Sequence, residues 1–468
     1  MIVTQRLRPD VFRLPIEKIR AGYKSDIYFA RTKYVLEKDG RRDRVTMQVF
    51  QKHPDAVIVG TDQTLAILHV GAGRYRDRER AHRMFERYLA AERRLYAAWA
   101  ALPRLDWAAY EPVAREVFEI SRELAGLWEP AWPDLAVDSL YDGELASPYE
   151  PVIRIDGEYA AFAHLETLYL GALTEGTKIA TNTRDVVAAA RGKPVIMFGA
   201  RHEAQEAQAG SGYAAYVGGA IGVSTDEQGE WWGSKGLGTI PHALIAVYGG
   251  DTTVATLKFD EHINRSPEAL GHLTGPGTPE SHVNVTALVD FQNDVVNTSL
   301  GVAHALGGRL WGVRVDTSES MVDLGIVREL VRREGRTAGP AGGVTGPAGG
   351  IAGPAGGIDG DVRGVTPRLV ELLREALDQG GYGHVRIVAS GGFDAEKIRR
   401  FEDLGVPVDV YGVGSALVHG TTFDHTADIV RVGGRDLGKV GRGYLASERL
   451  HRVDLGALVA EADRTRTS

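Results

Sequence analysis

From about residue 163 onward the chain repeats one pattern: a short apolar run rich in Val and Ile ends in small or polar residues, and a helical pattern usually follows. "PVIMFG" (194–199), "VNVTALVDF" (283–291), "GRLWGVRVD" (308–316), "VRIVASGG" (385–392) and "VDVYGVG" (408–414) all read this way. Such runs predict buried strands, and their alternation with helices implies a parallel sheet with right-handed crossovers. The repeats and length favour a closed or nearly closed α/β barrel, which needs about 250 residues, over an open doubly wound sheet. No GxGxxG follows the first strand, which counts against a dinucleotide fold.

The first 160 or so residues lack that rhythm and read as mixed α+β. "DAVIVGTDQTLAILHVG" (55–71) has the β-branched character of a buried sheet element. Residues 76–99 place Met84, Tyr88, Leu89 and Leu95 at helical spacing on a charged background, which predicts an amphipathic helix with a solvated arginine face. "SPYEPVIRIDGEYAAF" (147–162) reads as strand, tight turn at Asp156-Gly157, strand. After about 425, "DIVRVGGRDLGKVGRGYL" predicts a hairpin turning at Gly433-Gly434. The expected organisation is an N-terminal α+β domain over 1–160, an α/β barrel over 161–425, and C-terminal strands in 426–468 that complete the first domain. A seven-residue unit repeated three times over 339–359 is too rich in Gly, Pro and Ala to build a core, and reads as an inserted flexible loop without chemistry.

Composition narrows the class. The chain has 468 residues, 43% hydrophobic and 25% charged, with net charge −8, so no basic surface argues for a nucleic-acid partner. No stretch approaches about 18 uninterrupted apolar residues, and the N-terminus lacks the apolar core of a secretory signal, so a cytoplasmic protein with no membrane span is expected. The sequence has no cysteine, which removes disulfides, thiolate catalysis and cysteine zinc sites together.

Active sites of α/β barrels lie at the C-terminal ends of the strands. Those ends carry Phe198-Gly199-Ala200-Arg201-His202, then Asp290 and Asp294, then Arg314 and Asp316, then Ser390-Gly391-Gly392, and last Gly412-Val413-Gly414. Small residues where a strand becomes a helix let backbone N–H groups approach a ligand, and the helix N-terminus behind them favours an anion. Two successive glycine-rich ends late in the series therefore suggest a phosphate monoester. An arginine after an apolar run is often a structural ion pair. Two of them, facing Asp290, Asp294 and Asp316, point instead to a polyanion and metal site, because guanidinium groups bind phosphate bidentately and carboxylates hold Mg²⁺ through its waters. His242, beside a proline and an apolar run, reads by itself as a packing residue.

These stretches, in order, resemble the nicotinate phosphoribosyltransferases of the type II phosphoribosyltransferase group. The resemblance rests on "KSDIYFA" (24–30), "FGARH" (198–202), "YVGGAIGVST" (216–225), "GTIPHA" (238–243), "LVDFQND" (288–294), "GVRVDTS" (312–318), "ASGGFD" (389–394), "YGVGSAL" (411–417) and "GKVGR" (438–442). It implies an N-terminal α+β domain, an irregular α/β barrel, and a head-to-tail homodimer in which each site is completed by the neighbour's N-terminal domain. It implies that Phe198 and the partner's Tyr28 sandwich a pyridine ring, and that Ser224 replaces the aspartate of nicotinamide-using relatives, which suits an anionic nicotinate. Arg201 and Arg314 would hold carboxylate or phosphate groups, and Asp316 with the Gly391 backbone would meet ribose hydroxyls. Ser390, Gly391, Gly392, Gly412 and Gly414 would cradle the 5′-phosphate, with Asp290 and Asp294 on the diphosphate side. Asp26, Lys439 and Arg442 would face the diphosphate from the partner, and His242 would be a phosphorylated histidine coupling ATP hydrolysis to the transfer.

The implied reaction joins nicotinate to 5-phosphoribosyl-1-diphosphate, with Mg²⁺ and ATP as cofactor and co-substrate; no residue is assigned as a direct metal ligand. The chain departs from the family pattern at Asp316-Thr317-Ser318-Glu319 and at His202. Three alternatives stay open: a transferase for nicotinamide or a related base, a non-catalytic sugar-phosphate binder, and a Schiff-base aldolase. The last needs a lysine at a strand end, and Lys178, Lys193, Lys235 and Lys258 are not clearly so placed.

Overall fold

The computed structural model describes residues 1–100, 106–266, 283–333 and 362–454. The repeat at 339–359 lies outside the described residues. The chain divides into two units, one formed by 1–178 with 422–468 and the other by 179–421.

The first unit is built on an antiparallel sheet. Its strands are β1 (Arg44–Gln51), β2 (Ala136–Ser139), β3 (Pro151–Glu158) and, from the C-terminal part of the chain, β10 (His425–Val432), β11 (Arg435–Asp436) and β12 (His451–Arg452). They lie in the order β11-β10-β1-β3-β2-β12. β1 is central, with Met47 opposite Ile155 on one side and Ile429 on the other. The β10–β11 turn is Gly433-Gly434 with φ of 56° and 77°, the double left-handed geometry that a two-residue hairpin requires.

Two stretches differ from the sequence-based expectation. Of 55–71, only Ala56–Val57 is strand, and Thr61–Gly71 is a helix (α2, following α1 at Ile27–Lys38). Thr61, Asp62, Thr64, Leu65, Ala66, Ile67 and Leu68 are all buried, so the helix has no polar face and its sequence shows no 3.6-residue period. The second is Asp156-Gly157, which is no turn: β3 runs straight through it, with Thr46 opposite Asp156 and Val45 opposite Gly157. A Cβ on Gly157 would fall 2.2 Å from Leu135 Cδ2, so this glycine makes room for the neighbouring strand. The expected amphipathic helix is present as α3 (Arg78–Ala100), which packs Met84 and Ala81 against Ile120 and Leu124 of α4 (Trp107–Leu127).

The second unit holds a curled parallel sheet of β4 (Val195–Met197), β5 (Gly222–Val223), β6 (Thr286–Leu288), β7 (Gly312–Val315), β8 (Arg386–Ala389) and β9 (Val410–Val413), in the order β6-β7-β8-β9-β4-β5. Every pairing between these strands is parallel. The extended stretch 236–240 touches both sheet edges: Leu237 N donates to Val223 O at 2.7 Å, and Ile240 N donates to Thr286 O at 3.1 Å. Helices after α5 (Glu166–Ala189) cover the strands with regular apolar faces. In α7 (Pro367–Gln379, following α6 at Val295–Leu306), Leu369, Val370, Leu373 and Leu377 are buried, Thr366 caps the first turn, and Pro367 opens it. α8 (Ala395–Asp403) buries Ile398 and Phe401.

Candidate active site

The parallel pairing brings the C-terminal ends of β4, β7, β8 and β9 side by side. The half-buried Arg314, near the end of β7, is the hub. Its Nε donates to Ser390 Oγ (2.8 Å), Nη1 to Thr239 Oγ1 (3.2 Å) and Nη2 to Asp316 Oδ2 (2.8 Å). The guanidinium also stacks 4.8 Å from the centre of the Phe198 ring. Ser390 Oγ in turn lies 2.9 Å from Asp316 Oδ1. Phe198 leans on Gly412, where a Cβ would come within 2.5 Å of the ring, so the glycine seats the phenylalanine. An aromatic face, a fixed cation and a carboxylate thus share one opening.

Asp290, just beyond β6, belongs to the same end. Its Oδ1 lies 2.9 Å from His242 Nε2; the aspartate side chain is 7% exposed and the histidine 46%. Burial raises the Asp290 pKa, the His242 contact opposes that rise, and the Asp316 charge adds to it. The charge of Asp316 thus reaches Asp290. Asp294 is engaged otherwise. It caps α6 and takes a two-pronged ion pair from Arg328 at 2.9 and 2.5 Å. Burial would raise its pKa, but the Arg328 pair outweighs that and leaves it lowered. Its carboxylate serves the helix and Arg328, so the open cluster is Arg314, Asp316 and Asp290 without it.

Ser224, at the end of β5, hydrogen-bonds Gln228 Oε1 at 3.1 Å. Arg201 is exposed in the short turn after β4. Its neighbour His202 has a pKa lowered by burial first, then by the charge of Arg201 and the nearness of His419. A Cβ on Gly414 would stand 3.1 Å from His202 Nε2, so His202 borders the last glycine turn.

The two glycine-rich turns are neighbours, since Ala389 pairs with Tyr411 and a Cβ on Gly412 would sit 3.4 Å from Ser390 Cβ. Gly391 (φ 86°) and Gly392 (φ 65°) are both left-handed, which β-carbon-bearing residues resist. The helix behind them is not an open anion site in its first turn, because Asp394 caps it through Lys397 N at 2.8 Å. Lys397 itself was not singled out from sequence. Its Nζ donates to Gly391 O at 3.1 Å and so brings a cation to the turn, three residues beyond the capping Asp394. Thr239 was also missed as a site residue. It stands inside the quoted "GTIPHA", on the edge-bridging stretch that neither strand nor helix periodicity marks.

The remaining candidates belong to the first unit. Asp26 precedes α1, and its Oδ2 accepts from Thr167 Oγ1 at 2.9 Å. Tyr28 is 57% exposed on α1. Arg442 Nε donates to Asp428 Oδ2 at 2.9 Å, and its guanidinium lies 5.3 Å from the Phe50 ring. Burial, then Asp428 and Asp26, push Glu166 up to about 7, so Asp26 and Arg442 both belong to one acid-rich cluster of that unit. Lys439 is exposed near the turn at Gly441.

Among the described residues, no group of three or more His, Asp or Glu side chains gathers as metal ligands. No helix among them is long and apolar enough to cross a membrane.

No protein-family model matches the chain. A nicotinate phosphoribosyltransferase of Mycobacterium tuberculosis is 30% identical over 288 residues, which is 61% of this chain and 50% of the relative. The chain is a relative of the nicotinate phosphoribosyltransferases. It spans about half the length of the curated relatives it matches, that of Bacillus subtilis included (23% identity, 46% of its length). Among solved structures, a nicotinate-nucleotide pyrophosphorylase from Pyrococcus furiosus aligns with a TM-score of 0.61 at 27% identity, covering 92% of this chain and 80% of that one. Human nicotinic acid phosphoribosyltransferase aligns at 0.53 and 18% identity over 90% of this chain and 77% of its own, a likeness of fold. The strand-end cluster of this relative of the nicotinate phosphoribosyltransferases falls inside the quoted "FGARH", "GTIPHA", "LVDFQND", "GVRVDTS", "ASGGFD" and "YGVGSAL".

Proposed function

We propose that the chain is a nicotinate phosphoribosyltransferase, joining nicotinate and 5-phosphoribosyl-1-diphosphate to give nicotinate mononucleotide and diphosphate. The observation that carries this reading is the Arg314 hub: a guanidinium lying on the Phe198 ring and braced by Asp316, Ser390 and Thr239. Such a group suits a planar ring bearing a carboxylate, which would lie against Phe198 while the guanidinium pairs with the anion. We read the curled sheet, with 236–240 bridging its edges, as an irregular barrel whose mouth is this cluster.

In the proposed reaction the ring nitrogen forms a bond to C1 of the ribose as the bond from C1 to the diphosphate oxygen breaks. The electron pair of that bond leaves with the diphosphate. The sugar passes through an oxocarbenium-like state, and no enzyme nucleophile is needed. Ser390, Gly391 and Gly392 would hold the 5′-phosphate with Lys397 beside them, and Asp316 would meet the ribose hydroxyls. Asp290 and Asp316, whose charge reaches Asp290, would hold a hydrated Mg²⁺ ion through its waters, and the ion would supply charge neutralisation of the leaving group. His242, half exposed and oriented by Asp290, has the geometry of a phosphate-accepting imidazole, which favours ATP coupling. Ser224 leaves the base pocket without a carboxylate at that position, which favours nicotinate over nicotinamide. A homodimer in which the neighbour contributes Asp26, Tyr28, Lys439 and Arg442 completes the reading.

The test is a product assay with the diphosphate sugar and either base. Nicotinate should give mononucleotide and diphosphate in equal amounts, and His242→Ala should abolish stimulation by ATP while leaving basal transfer measurable. Saturable turnover of nicotinamide alone would defeat the assignment. Mixing His242→Ala with Asp26→Ala protein should restore activity if sites are shared between subunits.

A further inference from the structure

The first unit holds a half-open cavity of about 520 Å³, far larger than packing defects and within the range of small-molecule sites. One face of α1, at Ala30, Lys33, Tyr34 and Glu37, forms one wall, and the first turns of α3 form another. Its walls are aromatic and its charge is lopsided. Tyr34, Tyr75 and Phe85 supply rings, and five Arg and Lys residues line it against two glutamates, Glu37 and Glu79.

The charges are not equally committed. Lys33 is spent on the structure: its Nζ donates to Ala160 O at 2.8 Å and lies 3.3 Å from Glu37. Arg78 lays its guanidinium 3.9 Å from the centre of the Tyr34 ring and gives Nη1 to Glu37 at 3.0 Å. A guanidinium has five N–H donors, so most of Arg78 remains available beside an aromatic face. Behind its wall, two of its lining residues carry buried polar atoms without partners. Tyr75 Oη is buried with no hydrogen bond among the described residues. His164 is fully buried beside Lys33; the Gly71 backbone lies near its ring, but neither nitrogen makes an aligned hydrogen bond. A roomy, ring-lined cavity with an incompletely committed guanidinium on an aromatic face reads as a binding site.

We propose that this cavity binds a small aromatic anion, a carboxylate or sulfonate on a planar ring, with the ring against Tyr34 and Phe85 and the anion on Arg78. It is a different place in the molecule from the strand-end cluster, whose residues all lie in the other unit.

The probe is 8-anilinonaphthalene-1-sulfonate, followed by its fluorescence with the full chain and displaced with benzoate. One site per chain is expected in the Arg314→Ala background, where the strand-end cluster has lost its own partner for an aromatic anion. Arg78→Gln and Tyr34→Ala should each weaken binding by about fivefold or more, as should Arg83→Glu, an exposed change that reverses a charge at the rim. Arg78 is partly exposed and its ion pair contributes little to stability, so its variant should melt close to the parent. Arg314→Ala should remove at most a separate strand-end class of site and leave binding at the cavity unchanged. No saturable binding below about 1 mM, binding that Arg78→Gln and Arg83→Glu both leave unchanged, or binding lost in Arg314→Ala would each overturn the proposal.

Discussion

The two units use the same charged residues in different ways. In the antiparallel unit, Arg6, Lys33 and Arg20 reach for backbone. Arg6 bonds Asp62 at 2.7 Å and also the carbonyls of Ser139 and Leu140, Lys33 bonds the carbonyls of Gly73 and Ala160, and Arg20 bonds that of Val70 at 2.8 Å. Those carbonyls have no other conformation to adopt, so these cations are fixed struts. In the parallel unit, Arg314 gives its hydrogen bonds to three side chains, Ser390, Thr239 and Asp316. Side-chain partners can be exchanged for a ligand's oxygens without moving the backbone. A cation held by side chains at an open strand end is therefore ready for substrate, and one held by buried carbonyls is part of the frame.

That contrast predicts opposite phenotypes, and these are the largest effects. Arg314→Ala should cut kcat/KM of the proposed transfer by about 10²–10³, as loss of a charge-stabilising donor does, with a small change in Tm. Arg6→Ala should instead cost about 3–5 kcal/mol of stability, because it leaves the buried Asp62 without its cation, with only the Leu7 N–H still bonded to it among the described residues. Its kcat/KM per folded molecule should stay close to the parent's. Urea melts and steady-state assays on both variants check this. A fold lost with Arg314, or an activity lost with Arg6 at unchanged stability, would erase the distinction.

A smaller effect tests whether the site's aromatic wall depends on its seat. A Cβ at position 412 would press on the Phe198 ring at 2.5 Å, and a side-chain ring can shift where backbone cannot. Gly412→Ala should therefore fold and lose about tenfold in kcat/KM, roughly 1.4 kcal/mol, mainly through KM for the base. Gly157→Ala meets Leu135 at 2.2 Å in the frame of the other unit, and should lose stability without loss of turnover.

The same division decides what could be read from the chain. The parallel strands at 195–197, 286–288, 312–315, 386–389 and 410–413 all fall inside apolar runs, because strands buried in a parallel sheet need a continuous apolar sequence. Their ends were legible for the same reason, and so Phe198, Asp290, Arg314, Asp316 and Ser390 could be named. β5 was not, being only Gly222–Val223, nor was Thr239 on its extended stretch. In the other unit, α2 is buried all round and mimics a strand, and Asp156-Gly157 mimics a turn although its glycine only clears Leu135. Asp294 and Asp290 look alike in "LVDFQND", but what separates them is Arg328, which arrives from a later helix. No local pattern carries that information.

The smallest predicted effect lies where the contrast blurs. In the antiparallel unit, Asp26, Glu166, Asp428 and Arg442 form a cluster whose charged groups meet side chain to side chain, as in the parallel unit. Burial, with Asp428 and Asp26 adding, pushes Glu166 up to about 7 from an ordinary 4.5. The folded state then holds this proton more tightly than the unfolded chain does, so stability must fall as pH rises from about 4.5 to about 7. Glu166 is partly open to solvent, which limits the change to roughly 1 kcal/mol or less. Melting the parent and Glu166→Gln at pH 5 and pH 8 isolates the effect. The parent should lose stability relative to the variant across that interval, and Asp428→Asn should shrink the loss. Parallel curves for parent and Glu166→Gln would make these carboxylates independent surface groups, and would leave Arg442 as one more strut of the frame.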